Sequence, residues 1–289
     1  MGYHVPMPDD SSRISPTAHY TGYVWHVHGL STPALVTPRG RLYYEAFRPF
    51  NALSRALGGP TLKEMLLARH TAIDRVLTEA VDSGKITQVL EVAAGYSPRG
   101  WRFTRKYGKR LRYVEADLPP MAARKRRFLT KLPAAERPEV VAIDALAAAG
   151  ELSLHAVAER FDTAHGLAIV TEGLTSYLAP ADAREMWARM GALLGRFPHG
   201  MYLSDTRLAE LSRNSRSAKI FQQFLARFVR GQVHLQFESE DDARGTFLAR
   251  GFASLTLHRP HEMGLGFENE PGAKFVQIVD ARTGLVAGR

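Results

Sequence analysis

The 289-residue chain is 45% hydrophobic and 23% charged, with 24 glycines and 16 prolines, which excludes a disordered, collagenous or coiled-coil body. It has no cysteine, and so no disulfide, thiolate metal site or cysteine nucleophile. Lys and Arg outnumber Asp and Glu by 38 to 29, a formal charge of +9; much of the excess sits in Arg99–Arg112 and Arg124–Arg127 without a nucleic-acid motif, so a solvated basic surface is expected.

Residues 1–59 read as irregular and turn-rich. They hold Tyr20, Tyr23, Trp25, His26, His28, Tyr43, Tyr44, Phe47 and Phe50. This segment is expected to fold over a cleft, where aromatic walls suit a planar or apolar acceptor. The chain shows no basic segment leading into an apolar core. It has no apolar run near the ~20 residues of a membrane helix. A cytoplasmic protein without a membrane partner is expected.

Pro60, Thr61 and Glu64 announce a helix over 61–81. The T-x-x-E capping box opens it, Leu62, Leu66, Ile73, Val76 and Ala80 recur at helical spacing, and Gly84 follows. Arg69 falls on the same apolar stripe. A buried guanidinium needs an anion, because burying it alone costs several kcal/mol. Strands are predicted over 86–92, 111–115, 140–143, 167–170 and 201–204, with helices over 98–107, 119–131, 152–160 and 180–194. Such alternation builds a parallel sheet covered on both faces. A basic helical stretch is expected over 215–230. Two late strands, 253–258 and 275–279, are expected to pair at one sheet edge. The fold class is α/β, with an N-terminal helical and aromatic cap over 1–84. A ligand-binding domain follows over 85–289, with an insertion around 206–235.

Ligands of open parallel sheets bind beyond the carboxyl ends of the strands. The first strand leads into Glu91-Val92-Ala93-Ala94-Gly95-Tyr96-Ser97-Pro98-Arg99-Gly100, and the second into Glu115-Ala116-Asp117. Asp144 follows the third strand, and Thr171-Glu172-Gly173 the fourth. Acids at these ends can accept hydrogen bonds from ribose hydroxyls and amines. The acid after the second strand is the usual ribose reader. The first loop makes a poor phosphate cradle: it lacks G-x-G-x-x-G, and Pro98 removes a donor at the helix start. A nucleoside without phosphate that carries an amino-acid head fits better. S-adenosylmethionine is such a molecule, and its carboxylate would supply the anion that Arg69 needs. Gly95-Tyr96-Ser97-Pro98-Arg99 is not a nucleophile elbow, since Arg99 stands where the strained turn needs glycine. No P-loop occurs, and the histidines show no metal-ligand spacing; no metal is expected.

Val89–Gly100, Tyr113–Pro119 and Thr171–Leu178, with the helix carrying Arg69 ahead of them, resemble the leucine carboxyl methyltransferase family. The branch they most resemble is the bacterial O-methyltransferases associated with polyketide biosynthesis. Order and spacing agree across about half of the chain. The resemblance implies a class I S-adenosylmethionine-dependent methyltransferase. Its Rossmann-like, doubly wound, mostly parallel sheet would have seven strands, the last reversed. It implies that Arg69 holds the cofactor carboxylate. Ala93 and Gly95 would line the methionine end and Asp117 would bind the ribose, with Glu115 on the same strand face; Glu91 is expected among the cofactor-binding residues. Asp144 and Ala145 would flank the adenine. Glu172 would face the amino group or the transfer cleft, and Tyr177 the acceptor. One departure, Ala-Ala-Gly-Tyr-Ser-Pro-Arg for the family's Gly-x-Gly with an acid soon after, weakens transfer of its peptide-carboxyl specificity.

The acceptor is expected to be a small molecule or a carboxylate, without nucleic acid. A carboxylate needs no base, whereas a phenol or alcohol benefits from one; His26, His28 and His70 are the candidates. Two alternatives stand beside this reading. The positive charge suggests a nucleic-acid-associated methyltransferase. The other is an accessory protein that binds S-adenosylmethionine without catalysis.

Overall fold

The computed structural model describes residues 16–213 and 233–284. Helices α1 (Pro16–Val27), α2 (Pro38–Ala56) and α3 (Leu62–Asp82) precede the sheet. Strands β1 (Gln88–Val92), β2 (Arg112–Asp117), β3 (Glu139–Ala142), β4 (Leu167–Thr171) and β5 (Gly200–Thr206) follow. Between them lie α4 (Arg99–Tyr107), α5 (Pro119–Leu129), α6 (Leu154–Ala158) and α7 (Pro180–Leu194). The chain continues through α8 (Ala209–Arg213), α9 (Glu240–Leu248), β6 (Ser254–His258) and β7 (Gln277–Arg282). The sheet order is β3-β2-β1-β4-β5-β7-β6. The first five strands are parallel, and β7 runs antiparallel to both β5 and β6. This is the expected seven-stranded, Rossmann-like sheet with its last strand reversed. The late pair lies at an edge, joined through two short 3-10 turns, Pro260–Glu262 and Pro271–Phe275.

β4 shows how both faces are covered. Leu167 and Ile169 enter one hydrophobic cluster, and Ala168 and Val170 the other. That period of two belongs to a strand with no solvent face. One cluster is closed by α6, α7 and α9, with Trp187 stacked on Phe237 at 5.2 Å. The other is closed by α1, α3 and α4. Each fully buried Leu or Val there contributes about 1.5–3 kcal/mol.

The N-terminal stretch departs from its irregular reading: α1 and α2 are regular helices. Tyr20 and Val24, one turn apart, are both fully buried. Thr37 caps α2 by accepting the Gly40 N–H at 3.0 Å, and Pro38 sits in the first turn, where its missing N–H costs nothing. Pro33, Pro38, Gly40 and Pro49 look like breakers in sequence, yet Pro49 lies within α2 on an exposed side. α3 carries the expected capping box: the Glu64 N–H donates to Thr61 Oγ1 at 3.2 Å, and the Thr61 N–H to Glu64 Oε2 at 3.3 Å. The basic stretch 215–230 and most of the 206–235 insertion lie outside the described residues.

Candidate functional site

Five parallel strands end on one edge, which gathers Ala93–Gly95, Asp117, Asp144, Glu172 and Asp205. The loop after β1 is pinned by its own chain. Ala93 takes φ +57° and Gly95 φ +49°; the left-handed region strains an alanine by roughly 1–2 kcal/mol. The Ala94 N–H donates to the Ala116 carbonyl at 3.2 Å, and the Ser97 N–H to the Ala94 carbonyl at 2.7 Å. The Gly95 N–H donates to Asp117 Oδ2 at 2.7 Å, and the Arg99 N–H to Ser97 Oγ at 3.3 Å. Asp117 Oδ1 accepts the Leu118 N–H at 2.8 Å. Burial raises the Asp117 carboxyl, and the two amides pull it back.

Lys125 supports the loop from below. Its ammonium donates to the carbonyls of Gly95 at 3.2 Å and Ser97 at 2.6 Å, and lies 3.0 Å from Glu115. Glu115 is fully buried, and a Cβ on Gly100 would press into its carboxylate. Burial pushes the Glu115 carboxyl up from 4.5 to about 7; Lys125 opposes this and Glu91 reinforces it. A carboxyl with a raised folded pKa binds more protons folded than unfolded. Its contribution to stability therefore declines as pH rises from 4.5 to about 7. Glu115→Gln, neutral throughout, should gain on the wild type over that window. Thermal melts from about pH 4.5 to about pH 8 check this, and parallel profiles for the two proteins would contradict it.

Beside the loop is a buried ionic network centred on Arg99, whose exposure is 0%. Its guanidinium donates to Asp74 Oδ1, Glu91 Oε1 and Glu172 Oε2, each at 2.6 Å. Glu91 also accepts from Ser97 Oγ and from the Tyr113 hydroxyl, both at 2.8 Å. Ser97 is buried and engaged, so no nucleophile is presented. His70 Nε2 lies 2.7 Å from Arg102 Nη2, and Nδ1 lies 2.7 Å from Glu172 Oε2. Arg102 can only donate, so Nε2 accepts, and Nδ1 sits between the Glu172 carboxylate and Arg99 Nη2, 2.9 Å away. Burial holds the imidazole below its usual pKa. His70 is thus neutral, enclosed and engaged at both nitrogens, with none left to act as a base. Against the burial that would raise it, His70, Arg99 and Arg69 hold the Glu172 carboxyl well below the usual range.

Arg69 joins this network to an open cleft. Its Nε donates to Glu172 Oε1 at 2.9 Å and its Nη1 to Asp205 Oδ2 at 3.2 Å. The chain itself therefore supplies anions to Arg69. Asp205 Oδ1 accepts the Gly173 N–H at 2.6 Å, and Gly173, at φ +69°, leaves room for the Arg69 guanidinium. Arg69, Tyr177, Asp205 and Arg207 line a cleft that opens to solvent, with Leu62, Met65, Leu66 and Val276 as apolar wall.

The predicted site residues separate into groups. Glu91 and Glu115 are buried in the supports of the loop. Ala93, Gly95, Asp117, Asp144 and Ala145 stay half-buried along the strand-end edge, outside the lining of this cleft. Asp144 Oδ1 accepts the Leu146 N–H at 2.9 Å. Arg69 and Tyr177 line the cleft, and Glu172 lies directly behind Arg69. His26 is half-buried at the end of α1, and His28 is exposed just beyond it; neither lines the cleft. Sequence reasoning does not single out Lys125, Asp205 or Arg207. Among the described residues, no group of three or more His, Asp or Glu could hold a metal, and no helix is long and apolar enough to cross a membrane.

No curated protein matches the chain. Its fold is similar to that of a DUF574 family protein from Streptomyces avermitilis, at 16% identity and TM-score 0.65, over 93% of this chain and 97% of that one. A putative methyltransferase from Thermobifida fusca is similar at 15% identity and TM-score 0.62, over 97% and 99%. The S-adenosylmethionine-dependent methyltransferase SibL matches at 15% identity and TM-score 0.52, over 93% and 69%. The fold is thus that of S-adenosylmethionine-dependent methyltransferases. The family model described as leucine carboxyl methyltransferase matches residues 34–191, more than half of the sequence, and the chain belongs to that family.

Proposed function

We propose that the protein is an S-adenosylmethionine-dependent methyltransferase that O-methylates a small-molecule acceptor, a carboxylic acid being the form best suited to the site. The observation that carries this reading is the state of the first loop. The amides of Ala94, Gly95, Ser97 and Arg99 are all engaged within the chain, and Pro98 has none. A pyrophosphate would find few donors there, whereas a nucleoside sulfonium needs no such cradle. The residues present fit that cofactor. Ala93 and Gly95 would line its methionine end. Asp117 would accept the ribose hydroxyls, since each of its oxygens retains a lone pair beside its amide. Asp144 and Ala145 would flank the base, and Glu172 and Arg69 would face the amino-acid head.

The bound cofactor supplies an electrophilic methyl group on a positively charged sulfur. The chain's task is alignment and exclusion of water, and alignment alone is worth roughly 7–11 kcal/mol in well-oriented systems. Leu62, Met65, Leu66 and Val276 would hold an apolar acceptor body, while Tyr177 would orient its oxygen. A carboxylate is ionised near neutrality and needs no proton acceptor. That agrees with the placement of His70, the neighbour of Arg69 in the chain, which is locked in a structural network. His26 and His28 are then not required for transfer.

The test is transfer of isotopically labelled methyl from S-adenosylmethionine into a fractionated cell extract. Label is expected in the small-molecule fraction, in a product that mild alkali cleaves as it cleaves methyl esters. Label confined to nucleic acid or protein, or cofactor binding with no transfer to any fraction, would contradict the proposal.

A further inference from the structure

We infer that Arg207 is the carboxylate-binding residue of the cleft, the guanidinium that receives the carboxylate of a ligand. Arg207 lies between the end of β5 and α8 and lines the cleft beside Arg69. The two arginines are in opposite situations. Arg69 is already held by Glu172 and Asp205. Arg207 makes no ion pair or hydrogen bond among the described residues. Burial depresses its guanidinium, and neighbouring Arg69 adds to that, while Asp205 pulls the other way without coming into contact. Arg207 is half-buried, and a guanidinium partly withdrawn from water without a counter-ion is costly. The ordinary remedy is an anion, and the planar fork matches a carboxylate bidentately.

The surroundings select the charge of that anion. A monoanion balances Arg207, whereas the second charge of a phosphate would meet Asp205 on the same wall. The apolar residues opposite leave the remainder of the ligand without polar partners. Two ligands could bring the carboxylate: the amino-acid end of the cofactor, or the acceptor. The identity of these ligands rests on the methyltransferase reading; the role of Arg207 rests on the cleft alone.

The experiment compares wild type, Arg207→Gln and Arg207→Lys by calorimetry with three probes. S-adenosylhomocysteine carries the carboxylate and 5′-methylthioadenosine lacks it. Octanoate, added to protein saturated with S-adenosylhomocysteine, represents an apolar acid. Arg207→Gln is expected to lose about tenfold or more in affinity for S-adenosylhomocysteine or octanoate, with partial recovery in Arg207→Lys and no change for 5′-methylthioadenosine. A loss confined to S-adenosylhomocysteine assigns the carboxylate to the cofactor, and one confined to octanoate assigns it to the acceptor. Without ligand, Arg207→Gln should melt no lower than wild type, because it removes an unpaired charge; a purely structural arginine would behave oppositely. Unchanged affinity for both carboxylates, or a lowered melting temperature with equal loss for all three probes, overturns the inference. If the wild type binds neither nucleoside, the methyltransferase reading fails. Octanoate without nucleoside then still decides the role of Arg207, in favour if Arg207→Gln weakens its binding and against if it does not.

Discussion

Arg99→Met should destabilise the protein by about 3–5 kcal/mol, the range for removing one partner of a buried ionic group. In a chain of this size that is a fall in melting temperature on the order of 10 °C. The reason is geometric. Asp74, Glu91 and Glu172 each take a 2.6 Å hydrogen bond from one guanidinium with no exposure to solvent. Removing it leaves three carboxylates on α3, β1 and the end of β4 facing one another. Arg99→Lys keeps the charge but cannot reach three acceptors at once, so an intermediate loss is expected. Thermal melts of both variants read this directly. A melting temperature unchanged in Arg99→Met would mean that the network does not hold the strand ends together.

Asp117→Ala should weaken S-adenosylhomocysteine binding by about tenfold to a hundredfold, or roughly 1.4–2.8 kcal/mol. Two effects add. The Gly95 N–H loses the acceptor that fixes the loop at 2.7 Å, and, on the proposed assignment, the ribose loses its carboxylate. Asp117→Asn separates them, because its remaining carbonyl oxygen can keep the Gly95 bond. Its loss should be smaller, with a melting temperature closer to wild type. Calorimetric affinities for the three proteins provide the check. Wild-type affinity in Asp117→Ala would remove the ribose role from this residue.

Strong local patterns explain what could be read from the sequence. The capping box at Thr61 and Glu64, five apolar strands and the Gly95 turn each depend on neighbours in the chain. Periodicity alone therefore finds α3, the sheet and the loop. α1 and α2 escape because their punctuation misleads: Pro38 is a helix starter, and Pro49 sits on a solvent face where a proline can be carried. The ionic partners escape for a different reason. Lys125 belongs to the run Arg124–Arg127, which reads as solvated surface. Only its spacing with Met121, Ala122 and Leu129 puts it on the buried face of α5. Arg69 is recognisable as a buried cation, but its partners Glu172 and Asp205 lie 103 and 136 residues away. Spacing along the chain cannot show that the protein supplies that anion itself. Arg207 follows a buried strand and resembles an ordinary loop arginine until the cleft beside it is seen.

The most direct measurement is calorimetric titration of the unmodified protein with S-adenosylhomocysteine and, separately, with NAD. Saturable binding of the first in the micromolar range, with no heat from the second, is the expected result. Binding of NAD with none of the sulfur nucleoside would contradict the account, because a pyrophosphate would then have found donors in a loop whose amides are engaged elsewhere.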